Sequence, residues 1–558
     1  MGDYLVKAAR QLQEFFSSLI QILQKLLRGE ASQKHPSFIN RWRRRSLDDF
    51  AEEIEHLFTS HLSPKNLASI SKKISSQLRT SAKSSQINML PSFNHSLPTG
   101  QEKGSYLALD VGGSTFRVAL VQLSGKDGKM TIRKMTSSHI NEKVKALQGK
   151  AFFDWMAEKI EVMLKSSPTE FELDFPLSMG LSWSFPIDQT SIRSGKVIAM
   201  GKGFRCSDGT VGDDLRDLIM EACQKRNLDV SLEAIVNDSS ATLLSRAYSD
   251  LTTRMSLILG TGTNMAVHFP VHALGIEKYG VRSPEWFAHA DHVITNTEIS
   301  MFGGGLLQMT RWDDDLNRNH IKPDYQPLEY MCTGRYLGEI VRLIAAEATQ
   351  TAGLFGGKLP ASLQSRYSLD TAVLACIEED TSPSFTDSIA CIQKHHEFAA
   401  PPTPSDIAFL HKVCHAVSQR AAAYLAVAIH GLWCLRNESE TPILPATPES
   451  ASDDMLKVQT AQAPNDPVRL QVNIACDGSV ISKYPNFRSR CQDYLNQLTL
   501  EPEAAAVAAS FDSATTAVSK TAVTSSVQQL PSITLDLAPE GGIFGAAVAV
   551  AVAAPSNR

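Results

Sequence analysis

The chain has 558 residues, with 54 Lys and Arg against 59 Asp and Glu and a formal charge of −5; at ~150 residues per domain this is enough for about three to four units. The charge balance argues against nucleic acid as the main partner, because phosphate neutralisation needs a basic excess. Nine scattered cysteines with no C-x-x-C pair argue against a disulfide framework or a structural zinc site, and no apolar run reaches the ~18 residues of a transmembrane span.

Residues 3–28 are predicted as one amphipathic helix. Leu5, Leu12, Phe15, Phe16, Leu19, Leu23 and Leu27 share a face, with Lys7, Arg10, Lys25 and Arg28 on the other. Such a helix packs on its own domain or on a partner, or lies on a membrane surface. Ser17, Ser18 and Gln21 interrupt its apolar stretch and make it a poor secretory signal. A basic cluster follows at Arg41, Arg43, Arg44 and Arg45, then a helical pattern from Asp48 to Leu57 and a Ser/Lys/Asn-rich loop over 80–103.

Residues 106–123 (YLALDVGGSTFRVALVQL) read as strand, glycine turn, strand around Gly112-Gly113. Residues 256–269 (SLILGTGTNMAVHF) repeat the unit around Gly260-Thr261-Gly262. The separation of about 150 residues predicts two related lobes facing one another. Neither turn is a Walker loop or a Rossmann fingerprint. Two such turns can still present backbone N–H groups to a polyphosphate. Asp110, before the first turn, could hold magnesium through water. Arg117, after it, could neutralise phosphoryl oxygens. The same residues also fit two plain hairpins with an ion pair. Further on, residues 437–467 and 501–530 are low in complexity and are expected to be surface insertions.

With their successors, these motifs resemble the hexokinase family. LDVGGSTFRV stands where the family has LDLGGTNFRV. Ser184-Phe185-Pro186 stands at SFP, and Gly201-Lys202-Gly203-Phe204 at the T-K-G-F run. Val236-Asn237-Asp238 matches VND, Asn264 ends the GTG-x-N turn, and Asn296-Thr297-Glu298 and Leu328–Arg342 match further segments. ACDGSVISKYPNF and EGGIFGAAVAVAVAA are similar to the adenosine segment and the final helix.

The resemblance implies a two-lobed, actin-like (ribonuclease H-like) α/β fold around a cleft. It implies a leader over 1–47, a small domain over 48–250 and a large domain over 251–556. The implied activity is ATP-dependent phosphorylation of a hexose, glucose foremost, at the 6-hydroxyl, the first step of glycolysis, with Mg2+ as cofactor. Asp238 is the implied general base, with Lys202 and Arg117 as catalytic partners. Ser184, Phe185, Lys202, Asn237, Asn264, Glu298 and Glu329 are the implied sugar contacts. Asp110, Gly112, Gly113, Ser114, Thr115, Arg117, Gly260, Thr261, Gly262, Asp477, Gly478 and Ser479 are the implied nucleotide contacts, Asp110 holding magnesium through water.

Gly201, Ala241, Ile299 and Ile543 depart from the family pattern, and Glu540 stands where its last motif has Asp. In this the chain is similar to divergent fungal hexokinase-like proteins, and a sugar-sensing regulator without turnover is the alternative expectation. The expected location is the cytoplasm, with residues 3–28 as a candidate attachment to the mitochondrial surface.

Overall fold

The computed structural model describes residues 45–125, 129–166, 176–198, 200–201, 203–440, 471–500 and 532–553. The predicted helix over 3–28, Arg41, Arg43, Arg44, Lys202 and nearly all of the two low-complexity stretches lie outside the described residues. Asn437–Ser439, expected within the first insertion, instead complete a long helix, Pro404–Ser439.

In chain order the strands are β1 (Leu90–Pro91), β2 (Lys103–Val111), β3 (Thr115–Ser124), β4 (Met130–His139), β5 (Leu177–Trp183), β6 (Ile187–Gln189), β7 (Gly195–Val197), β8 (Val230–Val236), β9 (Thr253–Leu259), β10 (Thr263–Pro270), β11 (His292–Asn296), β12 (Gln471–Asp477) and β13 (Ser532–Leu537). Two sheets repeat one plan. The smaller runs β4-β3-β2-β5-β8 and the larger β1-β11-β10-β9-β12-β13, while β6 and β7 form a separate ribbon. In each, an antiparallel three-strand meander continues into two parallel strands. The larger sheet adds β1 antiparallel at its edge. The two glycine hairpins of the sequence are therefore the first hairpins of two equivalent lobes.

Alternation along β2 explains how the small lobe is sandwiched. Leu107, Leu109 and Val111 point to one core with Phe152, Met156 and Leu181. Ala108 points to the opposite core with Ala119, Ala234, Ala546 and Ala549. Small side chains on that face let the helix Gly541–Ala553 lie close on β2, β5 and β8. That helix packs against the helix Asp238–Ser249, which covers β9, β10 and β12 of the other sheet. The two helices thus join the lobes. Their approach needs a glycine at 545, where an ideal Cβ would lie 1.8 Å from the Ala241 carbonyl oxygen.

The large lobe is built around Pro404–Ser439, whose residues from Ala421 to Ile429 are fully buried. The expected helix at 48–57 is present as Leu47–Thr59, capped by Ser46 and Asp49 in a capping box. It is followed by a helix, Pro64–Ser84, that the sequence reading did not single out and that takes the first residues of the expected loop. Both bury their apolar faces (Phe50, Ile54, Phe58, Leu67, Ile74, Leu78) in the large-lobe core. Each lobe in space draws on both halves of the chain. Residues 47–84 pack in the large lobe, and residues 541–553 pack on the small-lobe sheet. An amphipathic helix settles where a complementary apolar surface exists, whatever its place in the chain.

Within the long helix, Arg420 is completely buried and forms a two-pronged ion pair with Asp313, Nη1–Oδ2 2.5 Å and Nη2–Oδ1 2.7 Å. All nine cysteines are free thiols. Among the described residues no helix is long and apolar enough to cross a membrane.

Candidate active site

Strand register collects the motifs. Asp110 pairs with Ser182 across β2 and β5, and Ser182 with Val236 across β5 and β8. The residues that follow, Gly112-Gly113, Ser184 and Asn237-Asp238, therefore leave the small sheet along one edge. In the large sheet Ile258 pairs with Asp477, and Cys476 with Leu537. Gly260–Gly262, Asp477–Ser479 and Glu540 leave along the corresponding edge. The carboxyl ends of parallel strands are where open α/β sheets take their ligands.

One end of the site is a chain of amides and carboxylates. Asn237 caps the helix Asp238–Ser249, its Oδ1 accepting from Ser239 N (3.0 Å) and Ser239 Oγ (2.6 Å). Asp238 is therefore the first helical residue and not the cap. Asn264 Nδ2 lies 3.5 Å from Asn237 Oδ1 and donates to Asn296 Oδ1 at 2.8 Å. Asn296 Nδ2 donates in turn to Glu298 Oε1 at 2.9 Å. Glu298 is held in the left-handed region, φ 50° and ψ 49°, a conformation that costs energy for a residue with a Cβ and concentrates at functional positions. Glu329 Oε2 accepts from Thr263 N at 3.1 Å, and a Cβ at Gly262 would lie 2.7 Å from that same oxygen. The turn thus needs its glycine so that Glu329 can approach. Asn237, Asp238, Asn264, Glu298 and Glu329 are all half-buried.

The other end is charged. Arg117 stands opposite Asp110 in the β2–β3 register and donates to Asp110 Oδ2 from Nε (3.0 Å) and Nη2 (2.6 Å). Its Nη1 donates to Glu540 Oε2. Burial lowers the Arg117 pKa, but the carboxylates of Asp110, Glu540 and Asp477 outweigh this and hold it above its ordinary value. Burial raises Asp477; the Gly478 N–H and Arg117 oppose that, while Asp110 and Glu540 add to it, and its pKa stands above the usual carboxylate value. Gly478 N donates to Asp477 Oδ1 at 2.6 Å. A Cβ at Gly260 would lie 3.5 Å from Ser479 N, so the turns at 260–262 and 477–479 abut. The first turn is closed by Gly112 N donating to Thr115 O at 3.0 Å, and Ser114 O accepts from Ile140 N at 2.8 Å.

The two ends meet at Gly541-Gly542. Thr242 Oγ1 donates to the Asp238 carbonyl oxygen at 3.0 Å, and a Cβ at Gly541 would stand 2.8 Å from that hydroxyl. A Cβ at Gly542 would stand 2.6 Å from Asp110 Oδ1. One glycine pair thus separates the helix of Asp238 from the Asp110–Arg117 pair.

Ser184 follows β5, its N–H donating to Val111 O at 3.2 Å beside the first turn. Phe185, expected among the sugar contacts, is buried in the small-lobe core, its ring centroid 4.8 Å from Phe204 and 5.3 Å from Trp183. That packing anchors the Ser184–Pro186 turn. The reading from sequence passed over Asn296 and Glu540 as site residues. Asn296 could have been found from its place two residues before Glu298. Glu540 had a signal too, as an acidic residue beside two glycines. Among the described residues no group of three or more His, Cys, Asp or Glu side chains could hold a metal ion directly.

The sequence profile of the hexokinase family matches residues 51–248 and 254–552. Hexokinase-2 of Solanum tuberosum is 35% identical over 300 residues, which cover 53% of this chain and 59% of that protein. This chain therefore spans less than two thirds of that relative. Hexokinase-2 of Oryza sativa subsp. japonica is 31% identical over 350 residues (62% of this chain and 69% of that protein), and Hexokinase-1 of Spinacia oleracea is 30% identical over 417 residues (74% and 77%). The solved hexokinase from Schistosoma mansoni complexed with glucose superposes with a TM-score of 0.68 at 25% identity, covering 91% of this chain and 100% of that chain. A second hexokinase crystal structure shares the fold, with a TM-score of 0.64 at 22% identity over 91% and 99%. These likenesses, with two lobes of matching sheet order, mean that the chain belongs to the hexokinase family.

Proposed function

We propose that this chain transfers the terminal phosphoryl group of ATP to the 6-hydroxyl of glucose, with Asp238 as general base. The observation that carries the reading is the place of Asp238. It heads a helix whose N-cap, Asn237, joins the amide–carboxylate chain to Glu298. One turn further on, Thr242 meets the glycine pair beside Asp110. A hydroxyl at Asp238 would thus have sugar-binding groups on one side and phosphate-binding groups on the other.

Glu298 and Glu329 each accept from sugar hydroxyls, and the amides of Asn237 and Asn264 fix the ring's orientation. Asp238 takes the proton of the 6-hydroxyl as that oxygen attacks the terminal phosphorus and the bond to the ADP oxygen breaks. Arg117 balances charge on the transferring group. The turns at 112–115, 260–262 and 477–479 hold the nucleotide. Magnesium would be held by Asp110 through water and would supply neutralisation of the phosphate oxygens. Lys202 keeps the role implied for it by the sequence. Nine free thiols support a reducing, cytosolic setting.

A coupled assay of ADP release across several hexoses tests the proposal. Turnover fastest with glucose, and lost in Asp238→Ala, is the expected result. Equal ADP release by both proteins would overturn it, and glucose-dependent stabilisation with no turnover in the parent would leave a sugar sensor.

A further inference from the structure

Glu540 is the unusual member of the charged end. It stands between β13 of the large-lobe sheet and the helix Gly541–Ala553, whose Phe544 N–H its carbonyl oxygen accepts, and its carboxylate reaches Arg117 on β3 of the small lobe. Its backbone is left-handed, φ 57°, a region that favours glycine. Two glycines follow it directly. A glutamate kept in that conformation, next to residues that would adopt it at no steric cost, points to use of its carboxylate.

The hydrogen bonds say what the carboxylate does. Asp110 alone takes Nε and Nη2 of Arg117, and so already compensates the guanidinium. Glu540, at the start of the last helix, takes Nη1. Two carboxylates thus share one guanidinium. A nucleotide phosphate reaching Arg117 has to share or replace the Glu540 contact and enter a region of excess negative charge.

We propose that Glu540 is a positioning residue that competes with nucleotide phosphate for Arg117 and so weakens nucleotide affinity. This rests on the kinase reading of the site and adds to it a residue that sets nucleotide affinity. Asp, one methylene shorter, carries the same charge with less reach; Gln keeps the size and loses the charge.

The test is calorimetric titration of the full chain, in the presence of glucose, with the magnesium complex of a non-hydrolysable ATP analogue. The expected order of affinity is parent weakest, Glu540→Asp intermediate and Glu540→Gln tightest. The gain from parent to Gln should be roughly three- to thirtyfold, and it should shrink at high salt because the competition is between charges. A merely structural role would change melting temperature without producing this order or its salt dependence. Unchanged or weaker binding in Glu540→Gln overturns the competition, and weaker binding would assign the carboxylate to the metal. If the parent itself binds no nucleotide, it is the kinase reading that fails.

Discussion

Asn264 and Glu298 come from opposite sides of the β10–β11 pair and are joined by one side chain, that of Asn296, which accepts from the first at 2.8 Å and donates to the second at 2.9 Å. Both functional amide groups of Asn296 are engaged, so it cannot turn without breaking one bond or the other. Asn296→Ala should raise the KM for glucose by about ten- to a hundredfold, the effect of losing one or two buried hydrogen bonds, with a smaller effect on kcat. Steady-state kinetics check this, and an unchanged KM would show that Glu298 is oriented by something else.

Asp238→Asn keeps size and the helix start while removing the base. A loss of about 10²- to 10⁴-fold in kcat is expected, with glucose still raising the melting temperature. Loss of glucose binding in this variant would mean that Asp238 serves the sugar and not the proton.

Arg420 and Asp313 test the large lobe. Arg420→Leu strands Asp313, which is 3% exposed, without its partner. A destabilisation of about 3–5 kcal/mol is expected, measurable by urea unfolding. Replacing both residues with apolar side chains should recover much of it. A loss under about 1 kcal/mol for the single change would show that water reaches the carboxylate.

Acid should weaken the fold through two histidines. Burial pushes His61 and His430 down to about 4, with Arg420 adding to the effect at His61. His61 Nε2 meets Tyr424 OH at 2.7 Å and His430 Nδ1 meets Ser71 Oγ at 2.9 Å. Both are neutral in the folded chain where the unfolded chain would titrate near 6.5. Their contribution to stability is therefore complete above about pH 6.5 and falls as the pH drops towards about 4. Thermal melts across that window should decline, and His430→Gln should flatten the decline. An equal slope in both proteins would remove His430 from the account.

Gly545→Ala should lower the melting temperature, because its Cβ would collide with the Ala241 carbonyl, a backbone atom that only moves if the two interlobe helices part. Calorimetry checks this. An unchanged transition would mean the helices separate at little cost.

The duplicated hairpin and the helix at 48–57 were legible in the sequence because each depends on neighbours along the chain. Alternation in LALDV fixes which side chains face each core, and glycine fixes the turns. Pairings between distant segments were not legible. The packing of Phe185 on Phe204 and Trp183, for instance, joins residues that no local pattern links. Asn296 and Glu540 acquire their roles from Asn264 and Arg117, and no local pattern records those contacts.

By itself the sequence determined the kinds of chemical group available, their order and the period of each strand and helix, since these follow from local sterics and the spacing of apolar residues. Only the tertiary structure decided which lobe the helices at 47–84 and 541–553 joined, which carboxylates face Arg117 and which side chain links Asn264 to Glu298. Those outcomes depend on burial and charge compensation between separate segments of the chain, where the free energy belongs to the contact and to neither partner alone.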